Sequence, residues 1–225
     1  SVFNMFKDLD YVTTSYHDYG DHYYSRKTIH KNMGSGQYYN ASDLNIKWSS
    51  LYEEWPSDTD LIKTSVPHFI NEDKFMAWMT TVSTHMSYES SSVTGDMYLD
   101  LYKDENYPKS AKRYMSKLRI LDNAIGELTD ELTTAGRLED TVIVLYADHY
   151  PYGLDDYDFK TIANYDIDGY GNVDRTPFII YNPSVEPNKY DNYTSYLNIL
   201  PTLANLFNLD YDPRLYGGQD LFDEN

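Results

Sequence analysis

The sequence predicts an α/β domain with a mixed, mainly parallel sheet flanked by helices. Three observations carry that reading. Thr141 to Tyr146 is a nearly unbroken apolar, β-branched run. It is short enough for a strand and too continuous for one with a wet face, so it reads as a central strand of a covered sheet. A helical pattern from Tyr114 to Ala135 leads into it through Gly136-Arg-Leu-Glu-Asp140, which makes an αβ unit. Finally, three strand candidates are each followed by a histidine. Parallel strands would bring those imidazoles to one sheet edge.

In chain order, Asp10 to Tyr16 is rich in β-branched and aromatic residues and reads as the first strand, with His17 after it and a turn-like His17-Asp-Tyr-Gly-Asp21 beyond. Tyr23, Tyr24, Arg26 and Lys27 carry aromatics and cations towards the loop Met33-Gly-Ser-Gly36. Residues 39–72 are mixed and polar, with a short helix expected over Ser57 to Ser65. Phe75 to Ser83 is the next buried strand and delivers His85. Ser87 to Pro108 is a loop of Ser, Tyr and Asp suited to a cleft rim. In the long helix, Tyr114, Leu118, Leu121, Ile125, Leu128, Leu132 and Ala135 recur at spacings of four and three, which predicts one apolar face, ended by Gly136. Asp155 to Asp174 is an acidic insertion in which Asp166-Ile-Asp168-Gly-Tyr-Gly171-Asn172-Val-Asp174 is similar to half of a calcium loop, with Pro177 where the closing carboxylate belongs. Pro177 to Pro183 reads as a short strand, Ser195 to Phe207 as an apolar helix with Pro201 near its start, and Tyr216 to Phe222 as a Gly turn with an apolar anchor.

At 225 residues the chain is one domain or part of one. A net charge of −18 argues against nucleic acid as a partner, because phosphate-backbone binding needs clustered Lys and Arg. It does not exclude a phosphate-bearing substrate, since a bound divalent cation sets the local field. With no cysteine there is neither a disulfide framework nor a thiolate metal site. No run reaches the roughly 20 apolar residues of a membrane span. The 25 tyrosines suit a half-wet surface or a carbohydrate-lined cleft. Asn40 and Asn192 sit in chance-level glycosylation triplets.

The chemistry concentrates at Asp148 and His149, directly after the 141–146 run and before the chain-breaking Pro151 and Gly153. Ligands bind outside the carboxyl ends of strands in open α/β sheets. An acidic oxygen beside an imidazole there fits either a metal-ligand pair or a turn-capping Asp next to a surface His.

Taken together, the pieces Tyr11-Val-Thr-Thr-Ser-Tyr-His17, Thr80-Thr-Val-Ser-Thr-His85, Asn123-Ala-Ile-Gly-Glu-Leu128, Val142-Ile-Val-Leu-Tyr-Ala-Asp-His149, Pro177-Phe-Ile-Ile-Tyr181, Asn198-Ile-Leu-Pro-Thr-Leu203 and Gly218-Gln-Asp-Leu-Phe222 resemble the extracellular catalytic domain of lipoteichoic acid synthases. These are phosphoglycerol transferases of the sulfatase and alkaline-phosphatase-like superfamily. The resemblance runs from about Asp10 to Phe222. It implies that residues 1–225 are the C-terminal portion of a single catalytic domain, with a nucleophilic Thr and a metal-binding Glu upstream and the isolated piece inactive. It also implies Asp148 and His149 as ligands of a divalent metal, Mn2+ or else Mg2+. His17 and Arg26 would contact the substrate phosphate, Tyr24 would be a further substrate contact, and His85 would bind substrate as the catalytic histidine beside the scissile phosphoester. Tyr24 stands where the family has Trp, and Tyr19 where it has a polar residue.

The implied reaction moves glycerol phosphate from phosphatidylglycerol to a growing polyglycerolphosphate chain, through a glycerophospho-threonine, at the extracellular face of a bacterial membrane. The membrane would be reached through a part of the protein other than this chain, and an uncovered sheet edge would favour self-association. Elementary chemistry agrees: a phosphodiester under attack needs its charge met by a guanidinium fork or imidazolium, and a nearby histidine can carry the proton. A sulfatase or phosphodiesterase on the same fold, or a non-catalytic module binding anionic glycopolymer, are the alternatives.

Overall fold

The computed structural model describes residues 1–47, 55–169, 172–190 and 194–223; Asn192 and residues 170–171 of the acidic stretch lie outside them. The elements in order are α1 (Val2–Lys7), β1 (Val12–His17), α2 (Arg26–Asn32), β2 (Gln37–Tyr39), α3 (Asp58–Ser65), β3 (Phe75–Thr80), α4 (Val93–Asp96), α5 (Lys109–Thr134), β4 (Ile143–Tyr146), α6 (Asp156–Ile162), β5 (Phe178–Tyr181) and α7 (Ile199–Leu206). The short α1, α2 and β2 add to what the sequence pattern predicts.

Three strands form a parallel sheet in the order β2-β1-β3. The β1–β3 register runs from Val12 opposite Phe75 to His17 opposite Thr80. Side chains of β3 alternate between two cores, as the two-residue period of a strand requires. Phe75, Ala77 and Met79 pack on a cluster holding Tyr16, Leu61, Ile62, Phe69 and Ala124. Met76 and Trp78 pack on the other face, against Phe3 and Phe6 of α1 and Ala204 of α7. Helices therefore cover both faces, the usual condition for parallel strands.

Two expectations change. The 141–146 run does not form a fully covered central strand. Its β4 pairs antiparallel with β5 in a separate two-stranded ladder, Ile143 opposite Tyr181, and only Ile143 is buried while Tyr146 and Ile179 are exposed. An antiparallel ladder can leave one face wet, and this one does. Trp78 of β3 meets Tyr146 edge-on at 6.1 Å, where the two ladders touch.

The apolar stripe of α5 is also rotated from the expected one. Leu118 is exposed, and the buried positions are Ser110, Ala111, Arg113, Ser116, Lys117, Ile120, Ala124 and Leu132. The helix turns two cations inward because they hold loop carbonyls, as described below. Gly136, at φ +67°, ends it: its N–H donates to Thr133 O at 3.0 Å and that of Arg137 to Leu132 O at 2.8 Å, a left-handed closure that favours glycine.

Burial ranks the expected costs of truncation. Leu61→Ala should lower stability by about 2–5 kcal/mol, as for other fully buried leucines, and Leu118→Ala by under about 0.5 kcal/mol. Urea unfolding of both variants checks the ranking; equal losses would restore the purely apolar stripe as the packed face.

Candidate functional site

Because β1 and β3 run parallel, the chains leave them at the same edge, where His17 and the loop carrying His85 lie; Asp148 and His149 reach it from the separate β4–β5 ladder. His17 is the last residue of β1 and is 3% exposed. Its Nδ1 lies 2.8 Å from the Thr80 carbonyl, which can only accept, so Nδ1 carries the proton and Nε2 keeps its lone pair. Burial pushes the imidazole down to about 4, with the charges of Arg26 and His30 adding to the effect and the Thr80 bond opposing it. At neutral pH, His17 is thus an uncharged acceptor rather than the imidazolium that phosphate neutralisation would use.

Arg26 opens α2, directly after Tyr24 and Ser25, two consecutive non-glycine residues at φ +51° and +52°. Such left-handed residues are strained and turn the chain sharply. Arg26 Nε is buried and has no hydrogen-bond partner among the described residues. A guanidinium with an unmet inner donor is suited to an anion. Tyr24 itself is 73% exposed, with its ring on that of Tyr23 at 4.5 Å.

His85 lies in the loop after β3, which ends at Thr80, three residues short of expectation. Its end is explained by Asp58: the N–H groups of Val82 and Ser83 donate to Asp58 Oδ1 at 2.9 and 3.0 Å instead of extending a ladder, and Ser83 Oγ donates to Oδ2. The His85 carbonyl accepts from Lys117 Nζ of α5 at 2.8 Å. Its ring Nδ1 donates to Met86 O at 3.0 Å, leaving Nε2 free to accept. The Trp55 ring packs on His85 at 4.9 Å, and its Nε1 donates to the same Met86 carbonyl at 2.6 Å.

Asp148 and His149 follow β4. His149 Nδ1 donates to Tyr150 O at 2.8 Å, and Nε2 lies 3.5 Å from Asp148 Oδ1. Two acceptors held this close are suited to a shared cation, and the carbonyl on the other ring nitrogen is the common outer partner of a metal-bound histidine. The donor set fits part of a divalent-metal site: among the described residues no group of three or more His, Cys, Asp or Glu gathers around one point. In the half calcium loop Lys160 pairs with Asp168 at 2.7 Å, and Asp166 accepts from the Asp168 N–H.

The rings of His85 and His149 are 6.4 Å apart, and a run of aromatic contacts joins them to the other groups: His17–Tyr19 at 6.1 Å, Tyr19–Trp55 at 5.6 Å and Tyr19–Tyr23 at 6.0 Å, with His149–Tyr152 at 4.5 Å on the far side. Asp58, Lys117 and Trp55 are contributors that sequence pattern alone does not single out. An open cleft of about 460 Å³ lined by Val12, Thr13, His68 and Glu72 lies at the other end of β1, away from these groups.

The sequence matches the sulfatase family over residues 1–209. The lipoteichoic acid synthase of Staphylococcus saprophyticus subsp. saprophyticus is 25% identical over 219 residues, covering 90% of this chain and 32% of that protein. The crystal structure of the lipoteichoic acid synthase LtaP from Listeria monocytogenes shares the fold, with a TM-score of 0.73 at 22% identity over 99% of this chain and 54% of that one. So does Streptococcus pyogenes phosphoglycerol transferase GacH, in complex with sn-glycerol-1-phosphate, with a TM-score of 0.55 at 18% identity over 80% of this chain and 45% of that one. The chain spans about a third of the length of the curated synthase.

The state of His17 is measurable. Between pH 6.5 and about 4 the unfolded chain binds a proton that the folded imidazole refuses, so the His17 contribution to stability is lost as pH falls through that window. His17→Gln should remove up to about 3 kcal/mol of that loss. Denaturation curves at pH 7 and pH 4 compare the two; an undiminished fall in the variant would mean that His17 is not held neutral.

Proposed function

The chain belongs to the sulfatase family, and within it we propose a phosphoglycerol transferase of the lipoteichoic acid synthase type. Glycerol phosphate would pass from phosphatidylglycerol to a growing polyglycerolphosphate chain. In this reading residues 1–225 are the C-terminal portion of the catalytic domain, and Asp148 and His149 supply two of its metal ligands. What carries this reading is the meeting of an anion-seeking Arg26, two acceptor imidazoles and an Asp–His pair at one sheet edge.

In this reading Arg26 holds the substrate phosphate, its planar fork matching two oxygens at once. His17 Nε2 accepts from a glycerol hydroxyl, the role open to a neutral ring. His85 Nε2 takes the proton from an attacking hydroxyl, or returns it to the leaving oxygen once charged. Tyr19, Tyr23, Tyr24 and Trp55 wall the site and exclude water from one side. Asp148 and His149 would hold a divalent cation, Mn2+ by preference, which when bound would polarise the phosphoryl group. The reaction is placed outside the cell. No helix among the described residues is long and apolar enough to cross a membrane, so contact with the bilayer is assigned to other parts of the protein. The sheet edges open in this chain are sites for those parts or for a second copy.

The test uses the protein carrying the whole catalytic domain, with Mn2+ and a fluorescent phosphatidylglycerol, following labelled diacylglycerol. Arg26→Ala should lose about 100-fold in kcat/KM and Arg26→Lys most of that, since the fork is lost though the charge stays. His85→Ala should lose about 100-fold or more. Unchanged turnover in Arg26→Ala would overturn the assignment, and cleavage of an aryl sulfate in place of the lipid would make the protein a sulfatase. Titration of the chain with Mn2+ by calorimetry should give weak binding that Asp148→Asn abolishes; equal heats in both would remove that pair from the metal site.

A further inference from the structure

Asp18 has no part in the chemistry above, yet it directly follows His17 and is fully buried. Neither of its carboxyl oxygens finds a hydrogen-bond donor among the described residues. The His17 ring comes within 3.5 Å of Oδ1, but its proton is already given to Thr80 O at 2.8 Å. A buried carboxylate without a donor is among the costliest groups a protein can hold. The side chain against it is that of Asp58, equally buried.

The two acids differ in their surroundings, and the difference locates a proton. Asp58 accepts from the N–H groups of Val82 and Ser83 and from Ser83 Oγ, which is the environment of an ionised carboxylate. Asp18 has only its own backbone N–H to set against a charge, so it is the member that keeps its proton. A protonated Asp18 can donate to Asp58, and this turns a contact between two acids into a hydrogen bond. We propose that Asp18 and Asp58 are a buried acid pair sharing one proton, held on Asp18, and that the pair positions His17 and His85 against each other. Asp18 fixes the end of β1 that carries His17, and Asp58 fixes the turn that carries His85, whose backbone N–H in turn donates to Val82 O at 2.9 Å.

The groups facing Asp18 are His17 from β1 and Asp58 and Asp60 from α3. None supplies a positive charge at neutral pH, since His17 is held uncharged. Burial first, then the Asp58 charge, raises the Asp18 carboxyl well above the usual carboxylate range. The folded state therefore binds a proton that the unfolded state releases. Stability is full below the ordinary carboxylate range and falls as pH rises, by about tenfold in the folding constant per pH unit, until Asp18 ionises in the folded chain.

The pair itself is tested on this chain, independently of any activity. In a carbon-13 titration of the aspartate carboxyls, Asp18 should still show the protonated shift above the ordinary carboxylate range, where exposed aspartates are ionised. Titration of Asp18 near pH 4 would overturn the proposal. Asp18→Asn, whose amide can still donate to Asp58, should fold and lose the tenfold-per-unit decline; Asp18→Ala should shift the amide resonances of both His17 and His85. If Asp18→Ala leaves both unmoved, the pair does not position them.

The catalytic consequence rests on the transferase reading above. In the complete enzyme, Asp18→Asn should keep kcat within about twofold and extend the alkaline limb of its pH profile, whereas Asp18→Ala should lose about tenfold in kcat at unchanged KM. An alkaline limb unchanged in Asp18→Asn would remove the proton from the mechanism. Absence of transferase activity in the unmodified enzyme would count against the transferase reading, while the carboxyl titration would still decide the acid pair.

Discussion

Parallel pairing of β1 with β3 is the constraint from which the site follows. Two parallel strands in register must release their chains at the same edge, so the residues after them become neighbours whatever their separation in sequence. Here the register ends with His17 opposite Thr80, and the bond from the imidazole to the Thr80 carbonyl ties the two exits together. That one bond also chooses the tautomer. A ring that donates through Nδ1 has only a lone pair to offer at Nε2, and burial keeps it uncharged. The geometry of the sheet thus decides the chemistry of the first histidine: it serves as an acceptor.

The second histidine is positioned differently, through main-chain atoms. Asp58 takes the N–H groups of the turn before it, and Lys117 takes its carbonyl. Lys117 is fully buried, and its charge lies 5.8 Å from the centre of the Tyr88 ring. A buried ammonium is stabilised only by such partners, so the loop and the helix hold each other. Arg113 does the same one turn earlier, with Asp96 at 2.7 Å. The long helix is scaffold in the sense expected, but it is a scaffold that grips the rim of the site by charge.

This explains what was legible in the sequence. The parallel strands, the long helix and the three histidines after strands follow from local apolar runs, and the edge shared by His17 and His85 follows from parallelism; His149 comes from the separate β4–β5 ladder. Asp148 and His149 were visible because they adjoin such a run, and the structure sets them 3.5 Å apart. Asp58, Lys117 and Trp55 were not visible. Each acts on backbone atoms 24 to 32 residues away, and a backbone carbonyl or N–H leaves no trace in residue type. Apolar periodicity misphased α5 for the same reason, since it scores Arg113 and Lys117 as solvent-facing. The 141–146 run looked fully covered because composition cannot tell a strand buried on two faces from one sealed on one face and paired antiparallel. In the acidic stretch, Lys160 and a backbone N–H engage one oxygen each of Asp168 and Asp166, partners that spacing alone does not show.

The consecutive left-handed residues Tyr24 and Ser25 place the protein under opposing selective pressures. Each non-glycine residue in that conformation costs on the order of 1 kcal/mol, and glycine would relieve it. A population of variants chosen only for heat resistance would therefore drift towards glycine at these two positions. The same drift would loosen the turn that aims the Arg26 guanidinium inward and would discard an exposed ring beside it. Durability and aim are set against each other within two residues, so a lineage that keeps side chains at both positions reveals that it is being selected for something other than endurance.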